Sequence, residues 1–202
     1  STERGQTMFD IKKECTQLFD ETVALRRDFH KHPEIGFKEV RTSGIVAKKL
    51  KDYGLEVKEG INKTGVVGLL RGTQPGKTVL LRADMDALEV NEENKCDYKS
   101  EVEGLMHACG HDAHTAMLIM TAKILAKHRN EIKGNIKFLF EPSEEYFPGG
   151  AQGMIKEGVM ENPHVDAVFG QHVWADVPAG KIGVRPGPLM AAPDTFTITI
   201  KG

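Results

Sequence analysis

Within the nine residues Met106-His107-Ala108-Cys109-Gly110-His111-Asp112-Ala113-His114 stand three of the chain's eight histidines and one of its three cysteines. Cys and His bind borderline-soft divalent cations well, and Asp112 and His114 are able to ligate or to fix the tautomer of a neighbouring imidazole. Packing alone offers a plainer account, in which a helix start happens to be His-rich and Cys109 is a small buried hydrophobe. Two later stretches argue against it. Glu141-Pro142-Ser143-Glu144-Glu145 sets paired carboxylates just after an apolar run, and Gly170-Gln171-His172 follows another.

These are the parts of a site that hydrolyses an amide with two cations: borderline ligands, a bridging anion and a positioned base. A thiolate or a carboxylate bridges two cations readily, whereas a neutral imidazole has one lone pair to give, so Cys109 is the expected bridge. His111, Glu145 and His172 are the expected terminal ligands, with Asp112 and His114 in or near the shell. On an extended strand end Glu144 and Glu145 would point to opposite sides, one toward a metal and its neighbour toward the attacking water. Two divalent cations balanced by a thiolate, a carboxylate and a hydroxide leave excess positive charge, which suits a substrate with a carboxylate beside the scissile amide.

Positioning these groups requires a scaffold, and the apolar periodicity outlines one. Three- and four-residue apolar steps predict a helix from Phe9 to about Arg27, broken before His30-Lys31-His32-Pro33, where both histidines read as capping or hydrogen-bonding groups rather than ligands. A second helix is predicted from Glu39 to Tyr53, closed by Gly54. Strands follow at Leu55-Glu56-Val57, at residues 64–70 and, after a turn at Pro75-Gly76, at residues 78–83, apolar on both faces as in mid-sheet. The last delivers Asp84-Met85-Asp86 to its carboxyl end, where α/β sheets gather ligands. Asp86 is expected to accept a hydrogen bond from a metal-bound imidazole, although an isolated pair of this kind also serves as loop solvation. The polar stretch from Glu89 to Gly104 reads as an exposed connection. A helix from Asp112 to about His128, a strand at residues 136–140, a helix from Ala151 to Glu157 and a strand at residues 166–170 complete the alternation. It predicts an α/β fold with a mixed, largely parallel sheet and helices on both faces.

Composition narrows the partners. Twenty-seven basic against 29 acidic side chains give a net charge of −2, with neither the basic footprint of a nucleic-acid binder nor a polybasic membrane patch. A small-molecule or peptide substrate is therefore expected. Three cysteines without framework spacing argue against a disulfide-stapled domain. No apolar run approaches a membrane span, and Ser1–Thr7 is polar, so a cytoplasmic setting is expected.

Taken in order, Arg26-Arg27-Asp28-Phe29-His30-Lys31-His32-Pro33-Glu34, Arg82-Ala83-Asp84-Met85-Asp86-Ala87-Leu88, His107 to His114, Glu144-Glu145, Pro148-Gly149-Gly150-Ala151 and Gly187-Pro188-Leu189-Met190-Ala191 resemble the M20 metallopeptidase clan. The resemblance is to the amidohydrolase branch that includes hippurate hydrolases, N-acyl-amino-acid deacylases and auxin-conjugate hydrolases. It implies metal ligands at Cys109, His111, Glu145 and His172, the general base at Glu144, and two divalent ions drawn from zinc, manganese, cobalt or nickel. It also implies a zinc-peptidase-like catalytic domain, here residues 1–188, with residues 189–202 opening a lid domain through which the family is often a homo-oligomer. The alternating stretch from Thr195 to Ile200 is its expected first strand. Glu89 stands where the family usually has proline. The family's last metal-binding histidine and its lid histidine have no counterpart in this sequence, so the 202-residue piece is expected to bind metal incompletely and to turn over poorly. The expected substrate is an N-acyl amino acid or related small amide. The alternatives are a dipeptidase or carboxypeptidase on the same scaffold, and a metal-binding module without turnover.

Overall fold

The computed structural model describes residues 9–192, 194 and 196–202. Its elements are α1 (Ile11–Gln17), α2 (Phe19–Lys31), α3 (Val40–Asp52), β1 (Glu56–Ile61), β2 (Gly65–Arg71), β3 (Gln74–Asp84), α4 (His111–Lys127), β4 (Lys133–Glu141), α5 (Ala151–Lys156) and β5 (Ala167–Gly170). The five strands form one sheet in the order β1-β2-β4-β3-β5. β3 runs parallel to β4 and β5, while β2 is antiparallel to both β4 and β1. Four strands thus point one way and only β2 opposes them, the mixed, largely parallel sheet that the sequence predicts.

Side chains that alternate along the strands feed two cores. On one face Val66, Leu70, Ala83, Phe138 and Phe140 pack with Leu25 and Phe29 of α2, Val46 and Leu50 of α3, and Ile119 of α4. On the other face Val67, Leu80 and Leu139 meet Met154 of α5, together with Val159 and Val165. Helices therefore cover both faces, three of them on the first. The parallel strands β3 and β4 end together, with Asp84 opposite Glu141, and this shared end carries the polar groups described below.

Two expectations need correction, and a third falls partly outside the described residues. The first helix is two, because the chain breaks at Leu18; α1 buries no residue and is tied down by Glu14 on Lys127 and His128 and by Phe9 stacked on His128. Pro75-Gly76 is not a turn but lies within β3. Pro75 has no N–H to donate, and the ladder to β4 slips between Gln74 and Thr78 to accommodate it. Thr195 lies outside the described residues. The rest of its expected strand, 196–200, is unpaired among the described residues, and Phe196, Ile198 and Ile200 are exposed.

Candidate metal centre

α4 starts at His111, behind Gly110, whose backbone is left-handed at φ 81°. A side chain at Gly110 would run into Val173, so glycine lets the loop after β5 pass close to the helix start. That loop brings His172 back over the cluster. Cys109 Sγ lies 3.4 Å from His172 Nε2, and His172 Nδ1 is 2.6 Å from the carbonyl of Val173.

His111 is fully buried at the centre. Its Nδ1 lies 3.2 Å from Asp86 Oδ1, and the other oxygen of Asp86 accepts the backbone N–H of Glu145 at 3.0 Å. Its Nε2 has no hydrogen-bond partner. Around that nitrogen stand Asp84 Oδ2 and Glu145 Oε1, each at 3.6 Å, and Glu144 Oε2 at 3.9 Å. Ligand atoms of Cys109, His111 and His172 lie within 4.8 Å of one another, as do those of His111, Glu144 and Glu145, and those of Asp84, His111 and His114. His111 belongs to all three groups. An aligned imidazole nitrogen left unpaired among carboxylates and a thiol is what a divalent cation requires, so sulfur, nitrogen and oxygen donors fit one here.

The electrostatics agree with that reading. Burial alone would depress the His111 imidazole, but the bond to Asp86 and the charges of Asp84 and Glu145 outweigh it and hold it above its usual value. Burial, reinforced by Glu145 and Glu144, pushes the Cys109 thiol up to about 12. A coordinating thiol is deprotonated by its cation, so this negative surrounding is one that positive charge would relieve. Burial and the Glu145 charge raise the Glu144 carboxyl above the usual carboxylate range. Asp84 stays ionised against its burial because it accepts from His114 at 2.6 Å and pairs with Arg82 at 2.7 Å.

The structure thus brings Cys109, His111, Glu145, His172, Glu144 and Asp86 together. Two local expectations fail. Glu144 and Glu145 do not sit on an extended strand end, since β4 stops at Glu141 and Ser143 takes a left-handed φ of 53°. The bend abolishes the alternation, and both carboxylates come within 4 Å of His111 Nε2, Glu145 at 3.6 Å and Glu144 at 3.9 Å. Asp112 belongs to none of the three groups that share His111. It turns the other way, to Arg26 at 2.8 Å and His30 at 2.6 Å. His114 stays close, clasped between Asp84 and the N–H of Val173, which donates to its Nε2 at 3.0 Å.

Other groups carry no sequence signal strong enough to single them out. Glu39, fully buried, accepts from the Ser143 N–H and from Thr64 Oγ1 and so pins the bend that aims the glutamates. Glu92 sits in the stretch expected to be exposed, yet it is buried, with one oxygen 3.0 Å from His30 Nε2 and the other accepting the Ser100 N–H. Arg82, a guanidinium inside an apolar strand beside Asp84, could have been suspected; it bridges Asp84 and Glu141.

The model of peptidase family M20/M25/M40 matches residues 80–201, more than half of the chain. The chain belongs to that family. Among its M20 relatives it is 47% identical over 196 residues to an N-acyl-L-amino acid amidohydrolase of Geobacillus stearothermophilus, covering 97% of this chain and 52% of that protein. It is 43% identical to the hippurate hydrolase of Campylobacter jejuni, covering 94% and 49% of the two chains. The fold superposes on a Bacillus subtilis M20 protein, YXEP, described as a dinuclear metal binding peptidase, with a TM-score of 0.79, 40% identity, and coverage of 89% of this chain and 48% of that one. The chain spans about half the length of the relatives it matches. No helix among the described residues is long and apolar enough to cross a membrane.

Proposed function

We propose that this chain forms part of the catalytic unit of a metal-dependent amidohydrolase that cleaves N-acyl amino acids or related small amides. One observation carries the reading: the buried His111 Nε2 has no partner and faces Glu145, with Cys109 and His172 beside it. Cys109, His111, Glu145 and His172 would hold two divalent ions. Zinc, manganese, cobalt and nickel all suit these donors. Such ions polarise a scissile carbonyl and lower the pKa of water.

The chain's own groups supply the rest. Asp86 fixes His111 through Nδ1, leaving Nε2 outward, and the same carboxylate holds the Glu145 backbone. Glu144 is more exposed than Glu145 and its carboxyl is raised, so it takes a proton from the attacking water and passes it to the leaving nitrogen. Residues 1–188 are assigned to the catalytic unit and 189–202 to the start of a lid through which the whole protein would be a homo-oligomer. Cysteines 15, 96 and 109 are all free, which suits a reducing, cytoplasmic setting.

The assay is release of free amino acid from N-acetyl- and N-benzoyl-amino acids and from dipeptides, with each of the four metals, by the chain alone and extended to its relatives' length. N-acyl amino acids are expected to be cleaved fastest by the extended chain, with the piece alone slow. Glu144→Ala should lower the rate by roughly 10²- to 10⁴-fold while metal still binds. An undiminished rate in that variant would overturn the assignment, and dipeptides cleaved faster than N-acyl amino acids would favour the dipeptidase reading.

A further inference from the structure

Three unfavourable features of this fold meet beside the paired glutamates, outside the metal centre itself. Ser143 holds a left-handed φ of 53° and Phe37 one of 62°. Glu39 is fully buried, and no cation pairs with it among the described residues. Left-handed backbone is rare for a bulky residue, and a buried carboxylate without a partner cation is unfavourable. Such features persist only where the surrounding structure imposes them, and they gather at functional sites.

Helix capping does not account for Glu39. It stands just before α3, yet its side chain makes no bond to the helix start. Glu34 does that instead, accepting the N–H groups of Arg41 at 2.9 Å and Thr42 at 2.8 Å. Glu39 turns to the bend, where its Oε1 accepts the Ser143 N–H at 2.8 Å. The same loop reaches the neighbouring strand tip, because the Glu34 carbonyl accepts the Ala87 N–H at 2.8 Å. Ala87 follows Asp86, the partner of His111 Nδ1, and Ser143 precedes Glu144. One loop is thus bonded to the tip that orients His111 and to the tip that carries Glu144. Contact is closest at Gly36, where a Cβ would stand 2.5 Å from Ser143 Oγ and 2.9 Å from Tyr146 Cδ2.

We infer that Gly36 and Glu39 are positioning residues for hydrolysis: the 34–39 loop clamps the tips of β3 and β4 together and so fixes where Glu144 stands relative to His111. The consequence for catalysis rests on the amidohydrolase reading; the clamp does not. Glu39 hydrogen-bonds to no metal ligand and acts through the Ser143 backbone. Gly36, lacking a side chain, lets the loop close on the bend.

The test uses the extended chain at saturating metal, with N-acetyl- and N-benzoyl-amino acids. Glu39→Ala should lower kcat roughly 30- to 100-fold, as a misplacement of about 1 Å does, and leave KM within about threefold. Glu39→Gln keeps an acceptor for the Ser143 N–H and should stay within about fivefold of the parent. Gly36→Ala removes no hydrogen-bonding group but pushes on Ser143 and Tyr146, and should lower kcat roughly tenfold. Both alanine variants are then repeated in a Glu144→Ala background. With no base left to aim, each should lower the residual rate by less than about twofold. A loss as large as in the parent background would mark a merely structural role and overturn the inference, as would a full rate in either single variant or a Glu39→Gln as slow as Glu39→Ala. Where Glu39→Ala does not fold, Gly36→Ala decides. Independently of turnover, amide hydrogen exchange in the metal-free chain should find the Ser143 N–H at least about tenfold faster in Glu39→Ala than in the parent or Glu39→Gln; equal rates would overturn the clamp. A parent that hydrolyses none of these substrates while the exchange pattern holds would sink the reaction, and the catalytic consequence with it, and leave the clamp standing.

Discussion

His30 and His111 are both buried, both lie among carboxylates, and differ in one respect. His30 has a carboxylate on each nitrogen, Asp112 at 2.6 Å and Glu92 at 3.0 Å. His111 has Asp86 on Nδ1 and nothing on Nε2. The first is a closed ion-paired network joining α2, the 89–104 stretch and α4. The second is the same construction with one valence left over. A histidine's place in a motif therefore says less about its role than whether its second nitrogen is satisfied. Asp112, although inside the His-rich motif, belongs with the closed network through Arg26 and His30.

The sharpest way to break the contrast is His111→Ala, which should abolish tight Zn²⁺ or Mn²⁺ binding in calorimetric titration, exceeding the roughly 100-fold loss expected from removing an outer partner. The matching His30→Ala should leave the measured affinity within a few fold while lowering the stability read from urea unfolding by about 3 kcal/mol, since Glu92 and Asp112 would remain buried without it. If both variants lost metal equally, the two histidines would not differ as described. Asp86→Asn sharpens the same point from outside the ligand set, with an expected 10- to 100-fold fall in metal affinity.

The smallest effect concerns pH. The hydrogen bond to Asp112, with Glu92 adding to it, raises the His30 pKa despite the opposing cost of burial. Because the folded value lies above the unfolded value of about 6.5, the contribution is fully present below that pH and is lost as pH rises through the folded value. Urea midpoints measured from pH 6 to 9 should therefore fall for the parent relative to His30→Gln; parallel curves would contradict the charged network.

Much of this architecture is legible before any coordinates. The sheet strands, α3 and α4 follow from apolar periodicity, α5 from the glycines that flank it, and the cluster around His111 from donor chemistry, because all depend on residue type and spacing. What escapes is set by tertiary contact. Nothing local marks Glu92 as buried, since its partner His30 is 62 positions away. The aim of Glu144 and Glu145 depends on a left-handed Ser143 held by Glu39, 104 positions away, which no period-two rule anticipates. Residues 75 and 76 read as a turn because proline and glycine usually make one, whereas here the slipped ladder absorbs them.

His111 and Asp112 are consecutive on α4, so their side chains leave the helix roughly 100° apart, one toward each network. A single helical turn thus serves as a boundary post: the carboxylate on one flank is spoken for by Arg26 and His30, while the imidazole on the other keeps a nitrogen unclaimed.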